Sequence, residues 1–197
     1  YDDIVVGAQF DDTAISSGGA AYVFLGQASG ISPTPAWTVR GNVSGLRLGH
    51  TVRGLGDPHG DGFADIAAAT PYSLPTGTQT RRKGVVSIYR GTSSGPSATP
   101  TWTKNGFIKD GQFGFAVGGG GDVNGDGFDD LLVGAPWVDG YYPAVGTTYL
   151  FNGCLESDGD GVCNTLDNCQ SLVNPTQTNA DADAFGAGGL HARRLAV

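Results

Sequence analysis

The stretch FGFAVGGGGDVNGDGFDDLLVGAP, residues 113–136, decides how this chain folds. Its two ends, 113–119 and 131–135, are short apolar segments of the kind that form β-strands. Between them lies a loop of aspartate, asparagine and glycine, the residues that favour turns. The stretch therefore predicts two strands joined by an acidic loop.

A constant spacing indicates that this unit occurs more than once in the chain. Residues 48–71 read LGHTVRGLGDPHGDGFADIAAATP, and residues 1–8 read YDDIVVGA, like the back half of the same unit. A spacing kept over many residues is typical of a structural repeat. The pairs separated by 65 residues are Gly26 and Gly91, Gly30 and Gly95, Pro35 and Pro100, Trp37 and Trp102, Gly49 and Gly114, and Asp57, Asp61 and Asp65 with Asp122, Asp126 and Asp130.

The repeat changes length in three segments, 9–18, 71–83 and 136–145. Beyond the second of these the spacing is shorter, since Gly84 and Gly146 are 62 residues apart rather than 65. Surface loops tolerate such changes in length better than strands do. We therefore expect these three segments to be loops.

Each repeat contains four short candidate strands. In the last copy three of them are 113–119, 131–135 and 146–151, and TWTK at 101–104 precedes them. The 197 residues include 34 Gly and 10 Pro but a single Glu, so turn formers are plentiful and helix formers scarce. Units this small fit the blades of a propeller or the strands of a sandwich, and the repeat favours the propeller. The sequence predicts an all-β fold.

The motif at 113–136 resembles the FG-GAP repeat of integrin α-chain propellers. It has the FG pair, the glycine-rich spacing, the DxNxDGFxD loop and the final LLVGAP strand. The resemblance covers residues 1–153, with a weaker copy at 48–71 and a remnant at 1–8. It implies a seven-bladed ring, of which this chain would hold about three four-stranded blades. Three blades cannot close a ring, so we expect a fragment of a larger propeller that starts within a repeat and ends near residue 153.

The loop at 122–130 has the composition of a calcium site. Its pattern D-x-N-x-D-G-F-x-D places oxygen-bearing side chains at the first, third, fifth and ninth positions. An all-oxygen shell suits calcium, because magnesium sheds its waters reluctantly. An ordinary Asp/Asn-Gly turn would not explain acids at both ends of the loop. The predicted ligands are the side chains of Asp122, Asn124, Asp126 and Asp130 and the carbonyl of Phe128.

The loop at 57–65 is a second, less regular candidate. His59 stands where Asn124 stands in the other copy, and imidazole is a poor ligand for a hard cation. Three alternatives stay open: His59 faces solvent while water fills its position, the site is weak, or the loop holds a transition metal. The predicted metal residues are Asp57, His59, Asp61, Phe63 and Asp65.

From residue 154 the pattern of short strands stops. Residues 154–185 read CLESDGDGVCNTLDNCQSLVNPTQTNADADAF and resemble a thrombospondin type 3 repeat. The alternative is a disordered acidic linker. The resemblance ends at Phe185, and we expect 186–197 to be a disordered or aberrant terminus. The calcium ligands that the resemblance implies are Asp158, Asp160, Asp167, Asp181 and Asp183.

Three cysteines crowd into this tail. Their spacing suggests a local disulfide, and because three is odd, one thiol is left over or pairs outside the chain. We predict a bond between Cys163 and Cys169, with Cys154 to Cys163 as the open alternative. Disulfides and calcium loops together favour an extracellular or cell-surface location. By analogy, the two resemblances side by side suggest a secreted bacterial surface protein.

Charge and hydropathy exclude two classes of partner. The net charge is −8 and the 11 Lys and Arg residues are spread thinly, which argues against nucleic acid. No apolar run is long enough for a membrane span. The leading interpretation is therefore a calcium-binding interaction or adhesion module, with calcium as cofactor and another protein or a surface glycan as partner.

Two alternatives remain, a non-catalytic propeller appendage of a secreted enzyme and a lectin-like glycan-binding propeller. Motifs such as G-x-S-x-G and H-E-x-x-H are missing, so we predict that the chain is not an enzyme and has no catalytic residues. His50 stands where Phe115 does, which favours a packing role. Trp37 and Trp102 repeat and are expected to pack between blades. The ligand candidates are the aromatic residues of a variable loop, Trp137, Tyr141 and Tyr142.

Overall fold

The computed structural model describes residues 1–73, 83–137, 145–154 and, for the backbone, 192–195. All regular structure in these ranges is β-strand, arranged in three antiparallel sheets and one two-stranded ribbon. No helix in this part of the chain is long and apolar enough to cross a membrane. The predicted all-β fold, a partial β-propeller, is confirmed.

The first sheet has three strands, and a separate two-stranded ribbon lies in the connection between its last two strands along the chain. Its order is β1-β2-β5, and the ribbon consists of β3 and β4. Each neighbouring pair is antiparallel, so the chain runs up and down across the sheet. The bounds are β1 Ile4–Ala8, β2 Ala20–Phe24, β3 Gly26–Gln27, β4 Gly30–Ile31 and β5 Trp37–Arg40.

The second and third sheets each have four antiparallel strands in simple succession. Their strand order follows the chain, as expected for propeller blades built from one repeat each. β1 corresponds to β7 and β11, since Asp3, Asp65 and Asp130 stand at equivalent positions beside these strands. The bounds are β6 Thr51–Gly54, β7 Ile66–Thr70, β8 Val85–Tyr89 and β9 Trp102–Asn105, then β10 Ala116–Gly121, β11 Asp130–Ala135, β12 Thr147–Phe151 and β13 Ala192–Leu195.

The fourth strand of the third sheet differs from the expectation. β13 pairs antiparallel with β12, from Thr148 opposite Leu195 to Phe151 opposite Ala192. The sequence predicts disorder over 186–197, and four of those residues form a strand instead. The physical reason is the open hydrogen-bonding edge of β12, which accepts any extended backbone that reaches it.

The glycines of the repeated pair lie in turns before β6 and β10 rather than within these strands. β10 begins at Ala116, three residues later than predicted, because Gly114 has φ +86° and cannot continue a strand. Gly49 has φ +79°, and a Cβ there would lie 2.1 Å from the carbonyl oxygen of Ala20 in the first sheet. The glycine of the pair therefore permits both the turn and the close approach of the preceding sheet.

The core lies between neighbouring sheets. Trp102 of β9 packs edge-on against Phe151 of β12, with ring centroids 5.4 Å apart, and Phe113 contacts the same ring. Trp37 of β5 packs in the same way against Tyr89 of β8, at 5.1 Å. Large aromatic side chains dominate the energetics of such contacts. The predicted packing role of both tryptophans is confirmed.

Candidate functional site

The two acidic loops lie side by side at one end of the sheets. The 57–65 loop connects β6 to β7, and the 122–130 loop connects β10 to β11. The backbone N–H of Asp57 donates a 2.9 Å hydrogen bond to Asp129 Oδ2 in the neighbouring loop. The N–H of Cys154 donates to the carbonyl of Pro58 at 2.8 Å, so the start of the tail is held at the same place.

The 122–130 loop is organised by its first carboxylate. Asp122 accepts N–H bonds from Gly125 at 2.6 Å, Asp126 at 3.0 Å and Gly127 at 2.8 Å. The bond from Gly127 has the largest effect on the pKa of Asp122; burial opposes it, and the other backbone bonds bring the pKa below its ordinary value. Asp122 is therefore a carboxylate anion at neutral pH.

The other oxygen-bearing side chains of this loop meet the same backbone. Asp126 Oδ1 accepts the N–H of Phe128 at 3.0 Å, and its Oδ2 accepts the amide Nδ2 of Asn124 at 2.8 Å. Asp130 is buried and accepts the N–H of Val123, again at 2.8 Å. The loop thus carries three carboxylates and one amide along a short turn.

This donor set fits calcium by its chemistry. Carboxylate and amide oxygens are the ligands that calcium takes, and a carboxylate oxygen that accepts one N–H keeps a second lone pair. Asn152, at the end of β12, adds a buried Oδ1 that has no hydrogen-bond partner in the described part of the chain. Among the described residues, no three His, Cys, Asp or Glu side chains converge as they would around a bound ion. The oxygens of Asp122, Asn124 and Asp126 face solvent, where an ion has access.

The 57–65 loop has the same backbone arrangement. Asp57 accepts the N–H groups of Asp61 at 3.0 Å and Gly62 at 2.8 Å, as Asp122 does in the other loop. Asp61 Oδ1 accepts the N–H of Phe63 at 2.9 Å, as Asp126 does from Phe128. These three backbone hydrogen bonds therefore recur in both repeats.

Its side chains differ at two contacts. His59 is 7% exposed, and its Nδ1 contacts Asp65 Oδ2, so the alternative in which it faces solvent is wrong. Arg90 Nε donates a 2.6 Å bond to Asp61 Oδ2. Burial raises the pKa of Asp61, but the hydrogen bonds from Arg90 and Phe63 and the neighbouring positive charge outweigh it and lower the pKa.

The last aspartate of each copy has a structural role that the sequence analysis missed. Asp3, Asp65 and Asp130 each accept, through Oδ1, the backbone N–H of a glycine that follows the next strand. The distances are 2.9, 2.8 and 2.8 Å. The available signal was the repeat of these aspartates together with Gly26 and Gly91. A remnant copy with no other predicted ligand, at 1–8, keeps this bond.

The predicted tail ligands lie outside the described residues, so the structure does not test them. Cys154 is disulfide-bonded, and both of its possible partners in the chain, Cys163 and Cys169, lie outside the described residues. Trp137 is described and is 48% exposed. The residues outside the described ranges are Tyr141, Tyr142, Asp158, Asp160, Cys163, Asp167, Cys169, Asp181 and Asp183.

His50 packs against two aromatic rings, and its Nδ1 lies 3.1 Å from Oγ1 of Thr51. Its ring lies 5.3 Å from that of Tyr72 and 5.2 Å from that of Phe115, centroid to centroid. Burial lowers the pKa of His50, and the charge of Arg47 lowers it further. This arrangement agrees with the predicted packing role.

Comparison with known proteins finds a family match that includes the 122–130 loop. The family model described as FG-GAP repeat matches residues 113–151. The chain is 32% identical over 161 residues to integrin alpha-5 of Xenopus laevis, which is 77% of this chain and 14% of the relative. It is 35% identical over 149 residues to integrin alpha-PS2 of Drosophila melanogaster, 68% of this chain and 10% of the relative.

A human relative gives the same result. Integrin alpha-6 of Homo sapiens is 30% identical over 136 residues, 68% of this chain and 11% of the relative. The chain thus spans 14% or less of the length of these three relatives. It contains an FG-GAP repeat and is similar over two thirds or more of its length to integrin α chains.

Proposed function

We propose that this chain is a calcium-binding part of an extracellular adhesion module and is not an enzyme. The observation that carries the proposal is the 122–130 loop, where three carboxylates and an amide are held on one turn by backbone N–H groups. The similarity to integrin α chains supports an adhesive role outside the cell. Another protein is the partner that this similarity favours.

The residues that would hold the ion are Asp122, Asn124, Asp126 and Asp130, with the carbonyl of Phe128. When bound, calcium would neutralise the carboxylates and fix the connection between β10 and β11. Asn152 supplies a further oxygen near this loop, because it precedes Gly153, whose N–H bonds Asp130 Oδ1 at 2.8 Å. A stiffened loop of this kind would keep the third sheet in position for a partner.

Calorimetric titration and a thermal melt test the proposal on the full chain. We expect calcium to raise the melting temperature and excess chelator to reverse the gain, with a dissociation constant of about 10⁻⁴–10⁻³ M, as in extracellular modules. Asp126→Ala should remove one bound ion. Asp2→Ala, which removes an exposed carboxylate outside the loop, is the matched control. If Asp126→Ala leaves the number of bound ions unchanged, the 122–130 loop is an ordinary turn.

The tail is proposed as a second calcium-binding region on its resemblance to a thrombospondin type 3 repeat. Its residues 154–185 hold five of the predicted ligands, and Cys154 anchors its start beside Pro58. Asp160→Ala combined with Asp167→Ala should lower the number of bound ions without affecting the Asp126-dependent site. An unchanged number would favour the linker interpretation.

A surface glycan is a second candidate partner, and the exposed Trp137 supports it. Its ring is 48% exposed beside the variable loop, and exposed aromatic rings can stack on sugars. A glycan array probed with the full chain and with Trp137→Ala tests this. A glycan that the full chain binds and the Trp137→Ala variant does not would support a glycan partner. If the chain binds no sugar, the glycans on the array are excluded as partners.

A further inference from the structure

The two acidic loops differ at two equivalent positions. His59 in one repeat corresponds to Asn124 in the other, and Arg90, just after β8, corresponds to Asn152, just after β12. The second correspondence is fixed by the next residue, since Gly91 and Gly153 donate the same hydrogen bond to Asp65 and Asp130. At both positions a basic side chain in one repeat is replaced by a neutral asparagine in the other.

His59 closes one end of the 57–65 loop. Asp65 is fully buried, and its carboxylate can only accept, so His59 Nδ1 is the donor in their contact. Both groups lie away from water, where a lost partner is most unfavourable. An ion that used Asp65 would first have to break this contact.

Arg90 closes the middle of the same loop. Its guanidinium contacts the oxygen of Asp61 that corresponds to Oδ2 of Asp126, which is paired with neutral Asn124 instead. A calcium ion bound beside Asp61 would lie close to this fixed positive charge, and the two would repel. Arginine cannot lose its charge in the physiological range.

We propose that His59 and Arg90 take the place of the metal in the 57–65 loop, so that this loop is closed without calcium. Residues 59 and 90 in one repeat, and 124 and 152 in the other, decide whether the shared backbone binds an ion. The closure of the 57–65 loop is argued from its contacts alone. The contrast with a calcium-binding 122–130 loop rests on the proposed function. The 57–65 loop then serves as a permanent support for its neighbour, which it contacts through Asp57 and Asp129.

The test counts calcium ions bound to the full chain by equilibrium dialysis. Asp61→Ala should leave the number unchanged, whereas a loss of one ion would overturn the proposal. The double variant His59→Asn with Arg90→Asn should gain about one ion, because it recreates the donors of the other loop. Arg53→Asn, at an exposed arginine of β6, is the control for a general charge effect.

A reciprocal variant guards against misfolding. Asn124→His with Asn152→Arg should lose one ion yet melt in chelator at or above the wild-type temperature. The proposal is overturned if the folded His59→Asn/Arg90→Asn variant gains no ion. Failure of the proposed function gives a different result. In that case Asp126→Ala leaves the number of bound ions unchanged, and Asp61→Ala still does not make the melting temperature depend on calcium.

Discussion

In both acidic loops the first aspartate accepts N–H bonds from the turn that follows it, and the last accepts one from a glycine beyond the next strand. The two loops differ in the side chains that contact their aspartates. Asp65 contacts a buried histidine and Asp61 an arginine, whereas Asp126 and Asp122 are exposed to solvent and meet only neutral partners.

In a loop of this kind, the backbone hydrogen bonds that form the turn do not depend on the charge of the side chains that contact it. Asx-type hydrogen bonds and glycines at positive φ set the turn, and three of these bonds recur with or without a positive side chain nearby. A few side-chain positions then decide what neutralises the carboxylates. Two of them, Arg90 and Asn152, follow the ends of their loops by 25 and 22 residues (90 − 65 and 152 − 130). The predictions below address this comparison, beginning with the largest effect.

Removing the last aspartate should affect the two loops unequally. Asp65→Ala leaves the buried Nδ1 of His59 and the N–H of Gly91 without acceptors, which costs about 3–5 kcal/mol. Asp130→Ala should cost about 1–2 kcal/mol in chelator, because only the N–H of Gly153 loses its acceptor away from water, whereas the N–H of Val123 can turn to water. Urea unfolding of the full chain in chelator measures both. Equal losses would contradict the asymmetry.

Calcium provides the control for that pair. Added calcium should widen the loss caused by Asp130→Ala, because the variant no longer gains stability from the ion. The loss caused by Asp65→Ala should not change. A calcium-dependent loss at Asp65 would indicate that both loops bind the ion.

The glycines of the FG pairs test where the repeats are alike. Gly49→Ala should cost about 2–3 kcal/mol, because its Cβ would overlap the carbonyl of Ala20 at 2.1 Å in addition to the positive φ. Gly114→Ala should cost about 1–2 kcal/mol, since its Cβ would meet side-chain atoms of Ala69 and Val86 at 2.9 Å. Thermal melts rank the two variants.

Gly125→Ala is the matched control for backbone strain alone. Gly125 has φ +77° and no atom within 4 Å of the position of a Cβ. Its substitution should cost about 1 kcal/mol, the conformational part only. A loss at Gly49 no larger than this would mean that the preceding sheet does not press on the FG turn.

The sequence predicts the strands well because they depend on local pattern and on a repeat that can be read directly. β11 and β12 fall within one residue of the predicted segments 131–135 and 146–151. The FG turn was placed inside a strand, since apolar residues flank Gly114 and its φ of +86° is not visible in the letters. A glycine at a repeated position was the signal for it.

The contacts that set the charge of the 57–65 loop could not be predicted. Arg90 reaches Asp61 across 29 residues, and Asp129 reaches Asp57 across 72. Such contacts arise only once sheets pack side by side, which no local period encodes. The aspartates themselves were found, whereas the partner that each meets depends on tertiary structure.

The bond between the loops should have a modest effect. Asp129→Ala removes the acceptor for the N–H of Asp57, a half-buried group, and should cost about 1 kcal/mol. Asp129→Asn keeps an oxygen acceptor and should stay within about 0.5 kcal/mol of the wild type. Urea unfolding in chelator separates the two. If Asn and Ala behave alike, charge rather than the hydrogen bond links the loops.

The smallest expected effect concerns His50, which stands in one repeat where Phe115 stands in the other. Burial and the charge of Arg47 lower the pKa of His50, so the folded chain binds a proton less readily than the unfolded chain. The stability that this provides is complete above the unfolded pKa of about 6.5 and is lost as pH falls through the lower folded value.

His50→Phe keeps a ring against Tyr72 and Phe115 and removes the titrating group. We expect the unfolding free energy of the wild type to fall relative to the variant as the pH drops below the unfolded pKa of about 6.5. Other histidines cancel in this difference, provided chelator is present throughout. A wild type that gains on acidification would instead show that the two aromatic rings stabilise a charged imidazolium, and the packing role would then include a cation–π contact.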